Sequence, residues 1–180
     1  VLLKCYFCTS MKLFAKRAVA QQLNALKNRT AFKPKATRRL MFIHETDLDI
    51  TEAQFEDMCT IFSHEFDTIE RVQYNVNKKM LEGVPKPHLH PQSLDWRGRI
   101  SADDLVFVLE QQYDLVVHFV HNITLPLVSF SALLKASFRI GPSSLDNQLN
   151  DLVLPSTADF GTFLSYLKQY FNKIHPNERT

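Results

Sequence analysis

Residues 114–120 read Asp-Leu-Val-Val-His-Phe-Val, a nearly continuous apolar and β-branched run. A strand of this kind needs cover on both faces, as at the centre of a parallel sheet with helices above and below. The rest of the chain supplies the flanking elements in alternation. Arg39 to His44 is a short apolar run. Thr51-x-x-Gln54 is a capping box, with Ile50 and Phe55 as its hydrophobic staple. The helix it opens places Phe55, Met58, Cys59, Phe62 and Phe66 on one face at helical spacing. From Thr68 to Val76 the period changes to two, which predicts a strand with one more exposed face. Pro85, Pro87 and Pro91 break the connection from Asn77 to Arg99, and Trp96 is expected to anchor its far end.

Ser101-x-x-Asp104, with Ile100 and Leu105 around it, predicts a second capped helix running to about Gln112. After the central strand another helix opens at Asn122 or Thr124, with Pro126 in its first turn, where a missing N–H costs little. Phe138–Ile140 and Asp151–Leu154 are the remaining strand signals. Phe160, Phe163, Leu164, Leu167, Phe171 and Ile174 then mark a final amphipathic helix. Right-handed crossovers turn this succession into an α/β fold: a single Rossmann-like, doubly wound, mostly parallel sheet of about five strands over residues 38–176, preceded by a basic amino-terminal helix or arm over residues 1–37.

With 180 residues and 45% hydrophobic content, the chain can bury roughly 70% of its unfolded surface around one core. Cys5, Cys8 and Cys59 make no disulfide framework, which fits a reducing cytoplasm. Cys5-x-x-Cys8 has no second cysteine pair to complete a zinc site. The longest uncharged stretch, Leu115 to Leu134, is interrupted by His118, His121, Asn122 and Pro126, so no transmembrane segment is expected. Residues 1–10 read as upstream sequence or a dispensable extension, with Met11 opening an ordinary initiator segment.

The formal net charge of +2 conceals a division. Ten of the 21 Lys and Arg precede Leu40 and none of the 19 acids does, so a +10 head meets a body in which 11 cations face 19 acids, a balance of −8. Lys12, Lys16, Arg17, Lys27, Arg29, Lys33 and Lys35 lie in this acid-free arm, and Val19, Leu23 and Leu26 share one helical face. Three partners suit such an arm: the acidic body in cis, nucleic-acid phosphates, or an anionic membrane surface.

For strand order 2-1-3-4-5, the carboxyl ends of the first and third strands form the crevice where ligands of such folds sit. That crevice gathers His44, Glu45 and Asp47 after one strand with His121, Asn122 and Thr124 after its neighbour, groups able to hold a polar ligand or move a proton. The simpler reading is of ordinary solvated loop residues and helix caps, with Asp47 ahead of a helix amino terminus that favours negative charge. His88 and His90 lack a third ligand nearby, and His118 reads as a hydrogen-bonded core histidine. Ser129, Ser131, Ser143 and Ser144 stand outside any nucleophile elbow. The four glycines form no phosphate loop, so no catalytic residue, metal or cofactor is expected.

Tyr74-Asn75-Val76-Asn77-Lys78-Lys79, Ser93-Leu94-Asp95-Trp96-Arg97-Gly98, Tyr113-Asp114-Leu115-Val116-Val117, and Ser131-Ala132-Leu133-Leu134-Lys135-Ala136 leading into Phe138-Arg139-Ile140-Gly141 resemble, in this order, a bacterial domain-of-unknown-function family of small single-domain α/β proteins. The resemblance covers roughly residues 12–175 and implies the fold and a cytoplasmic setting, with no substrate. Tyr113 to Gly141 also resembles the amino-terminal half of heptosyltransferase-type glycosyltransferases. Those enzymes use two α/β domains and a glycine-containing loop after the first strand. This chain has length for one such domain and carries His44-Glu45-Thr46-Asp47 at the loop. The functional expectation is a non-catalytic cytoplasmic protein that binds a macromolecular or anionic partner; the alternative is a reduced glycosyltransferase-like or nucleotide-ligand-binding domain.

Overall fold

The computed structural model describes residues 2–27, 38–145 and 148–174, with side chains described for 13–26, 38–145 and 148–171. Helix α1 (Leu2–Lys27) leads into β1 (Arg39–Glu45), α2 (Glu52–Phe62), β2 (Thr68–Tyr74), β3 (His88–Leu89) and α3 (Asp103–Glu110). Then follow β4 (Gln112–Phe119), α4 (Leu125–Leu133), β5 (Lys135–Pro142), β6 (Leu152–Leu154) and α5 (Phe160–Ile174). The strands form one parallel sheet in the order β3-β2-β1-β4-β5-β6. In register, Ile43 sits between Val72 and His118, and Val117 opposite Ile140.

The doubly wound architecture expected from the alternation is therefore present, and the strand count is six rather than about five. The extra strand comes from the proline-broken connection, where His88 and Leu89 pair with Gln73 and Tyr74 at the sheet margin. Each crossover buries one helical stripe. On one face Leu40, Phe42, Leu115, Val117 and Phe119 meet Met58 and Phe62 of α2 and Phe160, Phe163, Leu167 and Phe171 of α5. On the other, Met41, Ile43, Val72 and Val116 meet Leu105 and Val108 of α3 and Leu127 and Phe130 of α4.

The α2 start is the expected capping box. Thr51 Oγ1 accepts from the Gln54 backbone N–H at 3.2 Å, and Gln54 Oε1 accepts from the Thr51 backbone N–H at 2.9 Å. Cys59 on this helix is partly rather than fully buried, and the desolvation it does undergo pushes its thiol pKa up, which keeps it unreactive. The second expected cap is displaced. Ala102, not Ser101, takes the N-cap position of α3 and makes no side-chain cap; Ser101 N–H bonds to Ser93 O at 3.4 Å and Leu94 bridges Ile100, holding the chain extended up to that point. Leu94 and Ile100, rather than Trp96, close the long connection; Trp96 is exposed.

Helix α1 docks in cis. Ala15 and Val19 are buried, and Leu23 and Leu26 pack against the α3/α4 core. Gln22 joins two partners: its Nε2 donates to Gly98 O at 3.2 Å, and its Oε1 accepts from Ser129 Oγ at 2.9 Å. Gly98 has φ of +77°, and a Cβ there would lie 2.7 Å from Ala18 Cβ, so only glycine fits both the turn and the approach to α1.

Candidate functional site

Glu45 ends β1 on the face of Met41 and Ile43, and its carboxylate is fully buried. It accepts from the backbone N–H of His121 at 2.8 Å and of Asn122 at 2.9 Å, and from Asn122 Nδ2 at 2.5 Å. One carboxylate thus fastens the β4–α4 connection to the end of β1, through charge-assisted bonds worth about 1.5–3 kcal/mol each. Thr124, the residue before α4, accepts from Tyr74 OH at 2.8 Å. Asn75, also buried, donates through Nδ2 to Thr46 Oγ1 at 2.6 Å and Asp47 Oδ1 at 2.7 Å, while its Oδ1 accepts from Asn77 N–H at 2.7 Å. The ends of β2, β1 and β4 are tied together by these groups.

The structure thus places Glu45, Asp47, Asn122 and Thr124 at the expected end of the sheet, each bonded to another strand's end. The two histidines differ. His44 is 4% exposed on the opposite face, stacked on Phe42 with ring centroids 5.3 Å apart and planes 16° apart. Neither of its ring nitrogens has a hydrogen-bond partner among the described residues. Burial, and then the nearby Arg71 charge, bring its pKa down to about 4, so the imidazole is neutral near pH 7. His121 is exposed, with its ring edge-on to Phe119 at 6.4 Å.

Tyr74 and Asn75 are members of this cluster that sequence reasoning missed. The signal for them was the strand order itself, which sets the carboxyl end of the second strand beside that of the first. His118 is the bonded core histidine expected. A carbonyl can only accept, so Nδ1–H donates to Ile140 O at 3.2 Å and Nε2 accepts from Ser131 Oγ at 2.9 Å. His90 Nδ1 accepts from the Gln92 backbone N–H at 3.1 Å and caps the 3₁₀ turn Pro91–Ser93; His88 lies in β3. Among the described residues no group of three or more His, Cys, Asp or Glu is placed to hold a metal.

Of the arm cations, Lys16 and Arg17 are exposed on α1. The side chains of Lys12 and Lys27, and residues Arg29, Lys33 and Lys35, lie outside the described residues. Beside Arg17 stand Leu13 and Phe14, also exposed, and Phe14 meets Trp96 edge-on at 6.4 Å. The Arg97 guanidinium lies over the Trp96 ring, 4.6 Å from its centroid. No helix among the described residues is long and apolar enough to cross a membrane.

No curated protein and no solved structure matches the chain. A family model does, from residue 12 to residue 174, so the chain belongs to the family described as Family of unknown function (DUF6913).

Proposed function

We propose that this protein is a non-catalytic binding module that engages an anionic partner through the outward side of α1 and the adjoining loop at residues 95–99. One contrast carries the reading. At the sheet's carboxyl end Glu45, Asp47, Asn122 and Thr124 are bonded to neighbouring strand ends, with both Glu45 oxygens occupied. Lys16, Arg17 and Arg97 instead stand exposed beside a helix that has already buried its apolar stripe on the body. Docking in cis uses Ala15, Val19, Leu23 and Leu26, and leaves Lys16 and Arg17 exposed. A reducing cytoplasm is the setting we assign, supported by Cys59, a free thiol.

The test is thermal stabilisation of the full chain by heparin at low and high salt. The melting temperature is expected to rise at low salt, with the rise fading at high salt and lost when Lys16 and Arg17 are both replaced by Glu. A second reading, a nucleotide-type ligand in the crevice as in a reduced glycosyltransferase-like domain, draws on His44, whose two unpartnered ring nitrogens are unusual for a buried imidazole. A salt-insensitive stabilisation by a nucleotide sugar, lost in His44→Ala or His121→Ala, would establish that reading and displace the first.

A further inference from the structure

Resting on that proposal, we infer that the anionic partner is a lipid bilayer surface, met by the ridge of Leu13, Phe14 and Trp96 with Arg17 and Arg97 beside it. The three apolar side chains are 51%, 53% and 45% exposed, and they come from two segments that the fold joins into one surface. Gly98 allows the joining. It brings the loop against Ala18 and offers its carbonyl to Gln22, so Trp96 is held beside Phe14 without an induced change.

The chemistry of the ridge decides between lipid and nucleic acid. Single-stranded nucleic acid is held by bases stacking on open aromatic faces. Here Arg97 covers a face of Trp96 and Phe14 packs edge-on against it, so its π surface is already engaged. A bilayer interface wants a different arrangement: an indole at headgroup depth, aliphatic and phenyl groups reaching toward the acyl boundary, and cations turned back to the phosphates. Arg17 lies one helical turn from Leu13 and Phe14, on the same side of α1. Helix α1 contains no Asp or Glu along its length. Asp95, next to Trp96 in sequence, has its Oδ1 engaged within the loop, accepting from the N–H groups of Arg97 at 2.8 Å and Arg99 at 2.9 Å. The excess of acids beyond Arg39 disfavours approach by other sides and orients the chain with α1 toward the membrane.

Trp96 is the sole tryptophan, so its fluorescence reports directly on the ridge. Full-length protein is titrated with vesicles of phosphatidylcholine alone, with vesicles that also contain phosphatidylserine, and with polyuridylate. The expected result is a blue shift and co-sedimentation with the anionic vesicles only, weakened by salt. Affinity should fall roughly thirtyfold in Arg17→Glu, which removes one cation and adds one anion near such a surface. Leu13→Asp with Phe14→Asp, two exposed positions whose replacement leaves the core intact, should abolish the shift at an unchanged melting temperature. An equal response to phosphatidylcholine alone, no response to either vesicle, or undiminished binding by the double variant would overturn the lipid assignment. If polyuridylate binds where vesicles do not, the lipid is wrong and the broader anionic reading stands. If neither binds, and heparin leaves the melting temperature unmoved, both fall.

Discussion

The two faces of the sheet are built from different materials. The α2/α5 face is aromatic: Phe119 and Phe163 approach to 4.6 Å between centroids, and Phe62 meets Phe171 edge-on at 5.5 Å. The α1/α3/α4 face carries polar pairs within its core: Glu45 with Asn122, Tyr74 with Thr124, His118 with Ser131, and Ser129 with Gln22. Ring packing depends on volume and tolerates small slips, whereas a buried hydrogen bond fails when its partner moves. The polar face therefore sets register, including where α1 lies and hence where Leu13 and Phe14 stand relative to Trp96. Each face also holds one buried histidine, and the pair gives a direct comparison, since His118 is bonded at both nitrogens and His44 at neither.

Acid should have the largest effect and strike both faces. Burial is the main cause that brings each imidazole pKa down to about 4, while in the unfolded chain histidine titrates near 6.5. The unfolded state therefore takes up protons first as pH falls. The stability conferred by two neutral imidazoles is complete above about 6.5 and drains away toward 4, on the order of 5 kcal/mol for the pair. Urea denaturation from pH 7.5 to 4 checks this, and replacing either histidine by Leu should remove about half of the slope. A flat profile would mean that neither site is dry.

Next in size is Phe119→Ala, which opens a void among Phe160, Phe163 and the α5 side of the sheet and should cost about 3–5 kcal/mol in the same assay. The smallest and sharpest comparison sets His118→Leu against His44→Leu at pH 7.5. The first strands the Ser131 hydroxyl and the Ile140 carbonyl, a loss of about 1–3 kcal/mol; the second abandons no partner and should be neutral or stabilising. Equal losses would show that His44 has a polar partner in solution and that the aromatic face is wet at its carboxyl end.

What could be read from the sequence was local or periodic. Thr51 and Gln54 satisfy each other within one turn, so the α2 start needed nothing else, and Val19, Leu23 and Leu26 disclosed the docking stripe of α1 by spacing alone. The apolar run at residues 114–120 disclosed a covered central strand, and the expected order around it is the order in the sheet once the marginal β3 is set aside. What escaped was tertiary. The two-residue β3 exists only because β2 offers an edge for His88 and Leu89 to join. The bond between Ser101 and Ser93 moved the α3 cap, and nothing near Gln22 in sequence announces Ser129, 107 positions away. At the site, Glu45 bonds His121 and Asn122 directly, as their shared end of the sheet allows, but Thr124 and Asp47 are held by Tyr74 and Asn75, two strand-end residues that carry no motif.

The sheet also ends gently. Its two margins are the two residues of β3 and the three of β6, while the interior strands run to seven or eight. An unsatisfied strand edge is a template on which another chain can polymerise, and its hazard grows with length and flatness. The long proline-broken connection thus has a protective use apart from any binding: by laying His88 and Leu89 along Gln73 and Tyr74 and then turning away at Pro91, it covers the last two residues of a seven-residue edge. Cutting that connection back would open the carboxyl end of β2 to another chain and take Leu89 out of the core.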